Sequence, residues 1–327
     1  GRRPLLLGSE LWGAQAAAAT KLPCSDGEVI ARKTVYFMRH GQARHNVAED
    51  QAKAQARLEA AATGFTEGTA PFDAVIERAR REALVDECLA DPELSHAGVV
   101  QTLHARDAIA NAPLPAPTAV LVSPLRRTLQ TADALFPQHG NVHVCDVLRE
   151  RHTGFPCDQV NADRVAAATA FPDFDFNGVH SEAACSALSE VSTATPPPSP
   201  ARSELLCSAE DECSTGTRAP LLYGAVGCAN IPVEAGDHDD EVEDAAALRR
   251  RTRDLAWLLA AVEDSVVAVV THKGWLRELE RGPLGRPYAH EFKPCEVRAF
   301  VITVFANGDM ESELVYASAQ ASEGSRF

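Results

Sequence analysis

The residues best suited to chemistry are Arg39-His40-Gly41, which follow directly on the apolar run Val35-Tyr36-Phe37-Met38. The run reads as a buried strand, so the tripeptide lies where a strand opens into a loop. In open α/β sheets that edge is where ligands bind. Arginine is the side chain of choice for bidentate phosphate recognition, and histidine can serve as a nucleophile. Together they point to phosphoryl transfer through a phosphorylated histidine.

Two further strand patterns end in comparable residues. Ala119-Val120-Leu121-Val122 leads into Ser123-Pro124, a capping residue followed by proline, and then into a helical run carrying Arg126. Val266-Val267-Ala268-Val269-Val270 ends at Thr271-His272. Strands alternating with helices predict a mostly parallel sheet whose carboxyl ends share one edge. Two arginines and two histidines then converge on one crevice beside helix N-termini that favour anions. Such a site holds phosphate without a metal or other cofactor.

The elements that must position these groups follow from periodicity and punctuation. A strand is expected at 34–38, helical segments within 48–91, a helix from Ser95 to about Asn111, and a helix through 126–136. A short strand at 142–145 leads to Leu148-Arg149-Glu150. A helix over about 244–263, a short helix from Trp275, and a strand at 298–305 paired with 312–316 complete the pattern. The expected fold is a three-layer α/β/α sandwich with a mixed, mostly parallel sheet.

Composition narrows the class. The 327 residues suffice for a full core, and 45% hydrophobic with 24% charged residues is ordinary for a globular chain. The net charge of -15 argues against a nucleic-acid partner. No apolar run reaches the length of a membrane span. The nine cysteines are odd in number and contain no C-x-x-C pair, as expected of free thiols in a reducing compartment. The cytoplasm is therefore the expected location, and the residues near Gly1 are also read as a possible targeting remnant. From Gly178 to Asp244 the chain carries thirteen acidic residues against two basic ones, which is -11 of the net charge. Residues 178–243 thus read as an acidic low-complexity insert in a domain spanning 34–177 and 244–316, flanked by tails at 1–33 and 317–327.

The motifs taken together resemble the histidine phosphatase superfamily in its phosphoglycerate mutase-like branch. The matching stretches are Arg39-His40-Gly41 with Asn46, Leu94 to Gly98 with Gln101, Ser123 to Ala132, Leu148-Arg149-Glu150, and Val269 to His272. Within that branch, His45-Asn46-Val47, Pro156-Cys157-Asp158 and Cys295 to Arg298 are similar to phosphoglycerate mutase-like proteins of plants and fungi. The resemblance implies His40 as nucleophile and Glu150 as proton donor. It also implies Arg39, Arg126 and His272 as ligands of the phosphoryl oxygens, and Asn46 on the substrate side of the pocket. The implied activity is metal-independent hydrolysis of a small phosphomonoester. The rivals are a phosphoglycerate-type mutase and a catalytically silent phospholigand-binding protein. Lys273 is expected to face solvent, and the acidic run Asp237 to Asp240 is read as a solvated loop rather than a metal site.

Overall fold

The computed structural model describes residues 27–160, 164–176 and 242–318. The acidic stretch, including Asp237 to Asp240, lies almost wholly outside the described residues. Seven strands form one sheet in the order β4-β3-β2-β5-β1-β6-β7. They are β1 (Val29–Arg39), β2 (Ala119–Val122), β3 (Val142–Val144), β4 (Phe174–Asp175), β5 (Val266–Thr271), β6 (Val297–Phe305) and β7 (Met310–Ala317). The first five are parallel to their neighbours among themselves, and β6 and β7 add on as an antiparallel pair.

β1, β2 and β5 are apolar on both faces because both faces are covered. Alternate residues point to opposite sides. Val35, Phe37, Leu121, Val267 and Val269 pack with Leu248, Leu255, Leu259 and Trp275. These four come from α6 (Ala245–Arg253), α7 (Leu255–Ala261) and α8 (Lys273–Arg281). On the other face Tyr36, Met38, Val120, Val122, Ala268 and Val270 meet Ala105, Ile109, Leu129 and Ala132. Those belong to α3 (His96–Ala110) and α4 (Arg126–Leu135). The fold is thus the expected three-layer α/β sandwich. A hairpin of α1 (Arg44–Ala62) and α2 (Ala70–Leu84) stands beyond the sheet edge, and α5 (Arg164–Ala170) precedes β4.

Several details differ from the sequence reading, among them α5 and β4, which fall where no element was expected. β1 begins at Val29, inside the stretch expected to be a tail up to residue 33. Val29 to Lys33 lack an apolar run, and they form a strand because β6 pairs with them from Phe305 to Ile302. The helix expected over 244–263 is two helices. At Asp254 the backbone N–H turns to Arg251 O at 3.2 Å, a three-residue step that ends α6. The helix expected from Trp275 begins at Lys273, with His272 as its cap residue. No helix among the described residues is long and apolar enough to cross a membrane.

Strand register sets the level of the site. Met38 and Val122 both pair with Val270, and Arg39 pairs with Thr271. Ser123 N–H donates to Val270 O at 3.1 Å, and His40 N–H donates to Thr271 O at 2.9 Å. The ends of β1, β2 and β5 therefore present Arg39-His40, Ser123 and His272 side by side.

Candidate active site

A cleft of about 410 Å³ opens over these strand ends and is lined by Arg39, His40, Asn46, Arg127 and Glu150 among others. Its floor is His40, which is buried. His40 Nδ1 lies 2.7 Å from Gly41 O. A carbonyl only accepts, so Nδ1 carries the proton and the neutral ring keeps its lone pair on Nε2. Burial pushes the pKa of His40 well below the usual imidazole value, and the nearby positive charges of Arg127 and Arg39 push it in the same direction. His40 is thereby held as a neutral nucleophile.

His272 lies behind it, with ring centroids 5.1 Å apart. Its Nε2 shares a 2.7 Å hydrogen bond with Ser123 Oγ. It too is fully buried, and burial followed by the charge of Arg127 drives its pKa far down. Arg39 runs along the cleft with Nη1 donating to Phe292 O at 3.1 Å. The Phe292 ring is in turn covered by the Arg298 guanidinium at 3.9 Å. Glu150 faces this group from the other wall. Its Oε1 accepts from Arg151 N–H at 2.9 Å and its Oε2 from Gly274 N–H at 3.3 Å.

Asn46 lines the cleft and also has structural duties. Its Oδ1 accepts from Ala43 N–H at 3.0 Å, capping α1, and its Nδ2 donates to His45 Nε2 at 2.9 Å. His45 is a lining residue that the sequence reading passed over. It is buried, its ring centroid is 6.2 Å from that of His40, and burial together with Arg127 and Arg39 lowers its pKa to about 2. The signal for it was its place one residue before Asn46, in the first turn of the helix that leaves the His40 loop.

One expected ligand is misplaced by a residue. Arg126 is the first residue of α4, its side chain is 48% exposed, and it pairs with Glu93 at 3.2 Å. Arg127 lines the cleft instead and is 1% exposed. Successive helical residues are about 100° apart, so the two arginines cannot share a face. Arg126 lies on a stripe with Gln130 and Asp133, which are more exposed than their buried neighbours. That i, i+4, i+7 pattern was available in the sequence. Arg127 Nη1 donates to Cys157 O at 2.6 Å, and its Nη2 lies 3.4 Å from Asp158 Oδ1.

The loop after His40 is pinned from outside. Ser95 Oγ donates to Gln42 Oε1 at 2.9 Å, and Gln42 N–H donates to Gln101 Oε1 at 2.9 Å. At the rim, positive groups are largely balanced. Glu49 takes Arg80 at 2.9 Å, and Glu291 takes Arg277 at 3.3 Å and Lys273 at 3.5 Å. Lys273, expected in solvent, is a half-exposed rim residue. On the floor Arg127 is paired with Asp158, whereas Arg39 forms no ion pair among the described residues, so a dianion there would meet the uncompensated charge of Arg39.

Residues 79–181 match the family model of the histidine phosphatase superfamily (branch 1). The matched stretch contains Arg127 and Glu150, while His40 enters the cleft from the end of β1 and His272, at the end of β5, packs behind it. Among solved structures the chain is similar to a mycobacterial glucosyl-3-phosphoglycerate phosphatase complexed with VO3. That pair shares 18% identity over 86% of this chain and 97% of the other, with a TM-score of 0.42. It is also similar to a phosphoserine phosphatase from Entamoeba histolytica in complex with 3-phosphoglyceric acid, at 15% identity over 88% and 98% of the two chains and a TM-score of 0.40. No curated protein sequence matches it.

Proposed function

We propose that the chain is a metal-independent phosphomonoester hydrolase working through phosphohistidine at His40. The observation that carries this reading is the neutral, buried His40 with Nε2 unprotonated, facing Glu150 across a cleft floored by Arg39 and Arg127. His40 Nε2 attacks phosphorus while the ester oxygen leaves with a proton from Glu150. Arg39 and Arg127 neutralise charge that spreads over the phosphoryl oxygens, which is the main demand of this reaction, and the neutral His272 offers them a hydrogen bond rather than a charge. Glu150, now a carboxylate, then takes a proton from water as that water attacks the phosphohistidine. Inorganic phosphate leaves and both side chains return to their starting states. Asn46 holds His45 in place at the substrate side.

The substrate is a small phosphorylated molecule. The resemblance to plant and fungal phosphoglycerate mutase-like proteins is supported by where its motifs fall. His45 and Asn46 line the cleft, Cys157 and Asp158 hold Arg127, and Cys295 N–H donates to Arg39 O at 3.1 Å.

The test is turnover of a panel of phosphorylated metabolites, including phosphoglycerates and phosphoserine, together with labelling by a phosphorylated substrate. Wild type should release phosphate without added bisphosphoglycerate and carry an acid-labile label. His40→Ala should lose both. A label that survives His40→Ala overturns the reading.

A further inference from the structure

Four consecutive backbone carbonyls lead up to and include Glu150, and a side chain holds every one. Val147 O accepts from Trp275 Nε1 at 2.8 Å and from Arg251 Nη1 at 2.9 Å. Leu148 O accepts from Thr271 Oγ1 at 2.6 Å. Arg149 O accepts from Arg251 Nη1 at 2.7 Å, and Glu150 O from Arg251 Nη2 at 3.1 Å. The other donors of Arg251 go to one carboxylate, with Nε on Glu243 Oε1 at 3.0 Å and Nη2 on Glu243 Oε2 at 2.7 Å. All five guanidinium N–H groups are thereby used.

This matters because Arg149 and Glu150 belong to no helix or strand. β3 ends at Val144, and only the single 3₁₀ turn Asp146–Leu148 intervenes. Without a ladder, the path of the chain at Glu150 is fixed by what its carbonyls bind. Glu243 is itself fixed. Its N–H donates to His152 O at 2.9 Å, its carboxylate accepts from His152 N–H at 3.2 Å, and its carbonyl accepts from Arg151 Nε at 2.9 Å. Arg251 and Glu243 thus grip the chain on both sides of Glu150. Neither lines the cleft.

We infer that Arg251, seated on Glu243, is the positioning residue that sets Glu150 at the distance and angle needed for proton transfer. The inference rests on the reading of Glu150 as the proton donor. A planar fork with five fixed donors suits this task, whereas an ammonium carries the same charge on three donors without the fork. Arg251→Lys therefore separates geometry from charge.

The experiment compares kcat/KM for an alkyl ester, phosphoserine, and for p-nitrophenyl phosphate, whose leaving group departs without a proton. In Arg251→Lys the phosphoserine value should fall about 10–10²-fold, the scale of a small misplacement of a catalytic group. The p-nitrophenyl value should fall much less. Equal loss on both substrates, or no loss on either, overturns the inference. Glu150→Gln, measured alongside, keeps the two claims apart. If Glu150→Gln shows no dependence on leaving group, the proton-donor reading itself fails. If it does and Arg251→Lys does not, only the positioning role fails. Should Arg251→Lys not fold, Glu243→Gln is measured in the same way. It should show a smaller loss confined to phosphoserine, and an unselective loss overturns the inference.

Discussion

The carboxylate of Glu150 occupies the space in which a Cβ on Gly274 would have to lie, in contact that no rotamer of a larger residue at 274 would avoid. Gly274 is also the residue whose N–H reaches Glu150 Oε2. The first turn of α8 therefore serves as a seat for the proposed proton donor, and glycine is required there for close approach rather than for backbone freedom.

Gly274→Ala tests that seat. The obstructing atom is the end of a flexible side chain, so the fold has an easy escape, which is to swing Glu150 away. Alanine also favours a helix over glycine by up to ~1 kcal/mol. The melting temperature should hold or rise, while kcat/KM for phosphoserine falls about 10²-fold and that for p-nitrophenyl phosphate falls less. Wild-type turnover of phosphoserine by Gly274→Ala would show that the carboxylate position does not matter.

The neighbouring arginines of α4 give a paired test. Arg127 is buried beneath the cleft, and Arg126 is on the surface beside Glu93. Arg126→Ala removes an exposed ion pair worth ~0–1 kcal/mol and should leave kcat/KM within about twofold. Arg127→Lys loses the fork that holds Cys157 O and Asp158 and that, in the proposed mechanism, faces the phosphoryl oxygens. It should cost about 10²–10³-fold, the scale of one electrostatic donor in the transition state. Steady-state kinetics on one substrate decide it, and a larger loss from Arg126→Ala would reverse the assignment.

That exchange of Arg126 for Arg127 shows where sequence reading stops. β2 and β5 were legible as unbroken apolar runs because both faces of these strands are covered. His40, Glu150 and His272 were legible because they end or follow such runs. The face of α4 was legible in principle through Arg126, Gln130 and Asp133, but a motif read as a string does not show direction around a helix. The first half of β1 was not legible, since its pairing comes from β6, more than 260 residues away. The Arg251 contacts were equally hidden, because they join α6 to carbonyls about a hundred positions earlier, and backbone acceptors leave no trace in residue type.

A second close approach lies on the opposite side of His40. Gly98, in the first turn of α3, faces the backbone of Gln42, and a Cβ there would collide with the Gln42 carbonyl. A Cβ on Gly41 would likewise lie only 2.7 Å from Gly98 O. Here the obstruction is backbone on both sides, so relief requires α3 to move from the loop. Gly98→Ala should cost ~1–3 kcal/mol, read as a lower urea midpoint, and should slow turnover because the displaced loop begins at His40. An unchanged midpoint would mean the loop yields freely, against the Ser95 and Gln101 bonds that pin it.

Acid should weaken the fold through the histidines of the cleft. His40, His45 and His272 are all buried with pKa values below the ordinary imidazole value, that of His45 at about 2. In the unfolded chain each returns to about 6.5. Below that pH the unfolded state binds protons that the folded state refuses, so stability is full above about pH 6.5 and is lost as pH falls. His45, held at about 2, should cost about 1.4 kcal/mol between pH 7.5 and 5.5, and His40 and His272 act in the same direction. Other groups titrate too, so the clean readout is a difference. His45→Gln removes one of the three, and its urea-derived stability should drop about 1.4 kcal/mol less than wild type over that interval. Parallel pH profiles for the two proteins would mean that His45 takes up a proton in the folded cleft, against its burial beside Arg127 and Arg39.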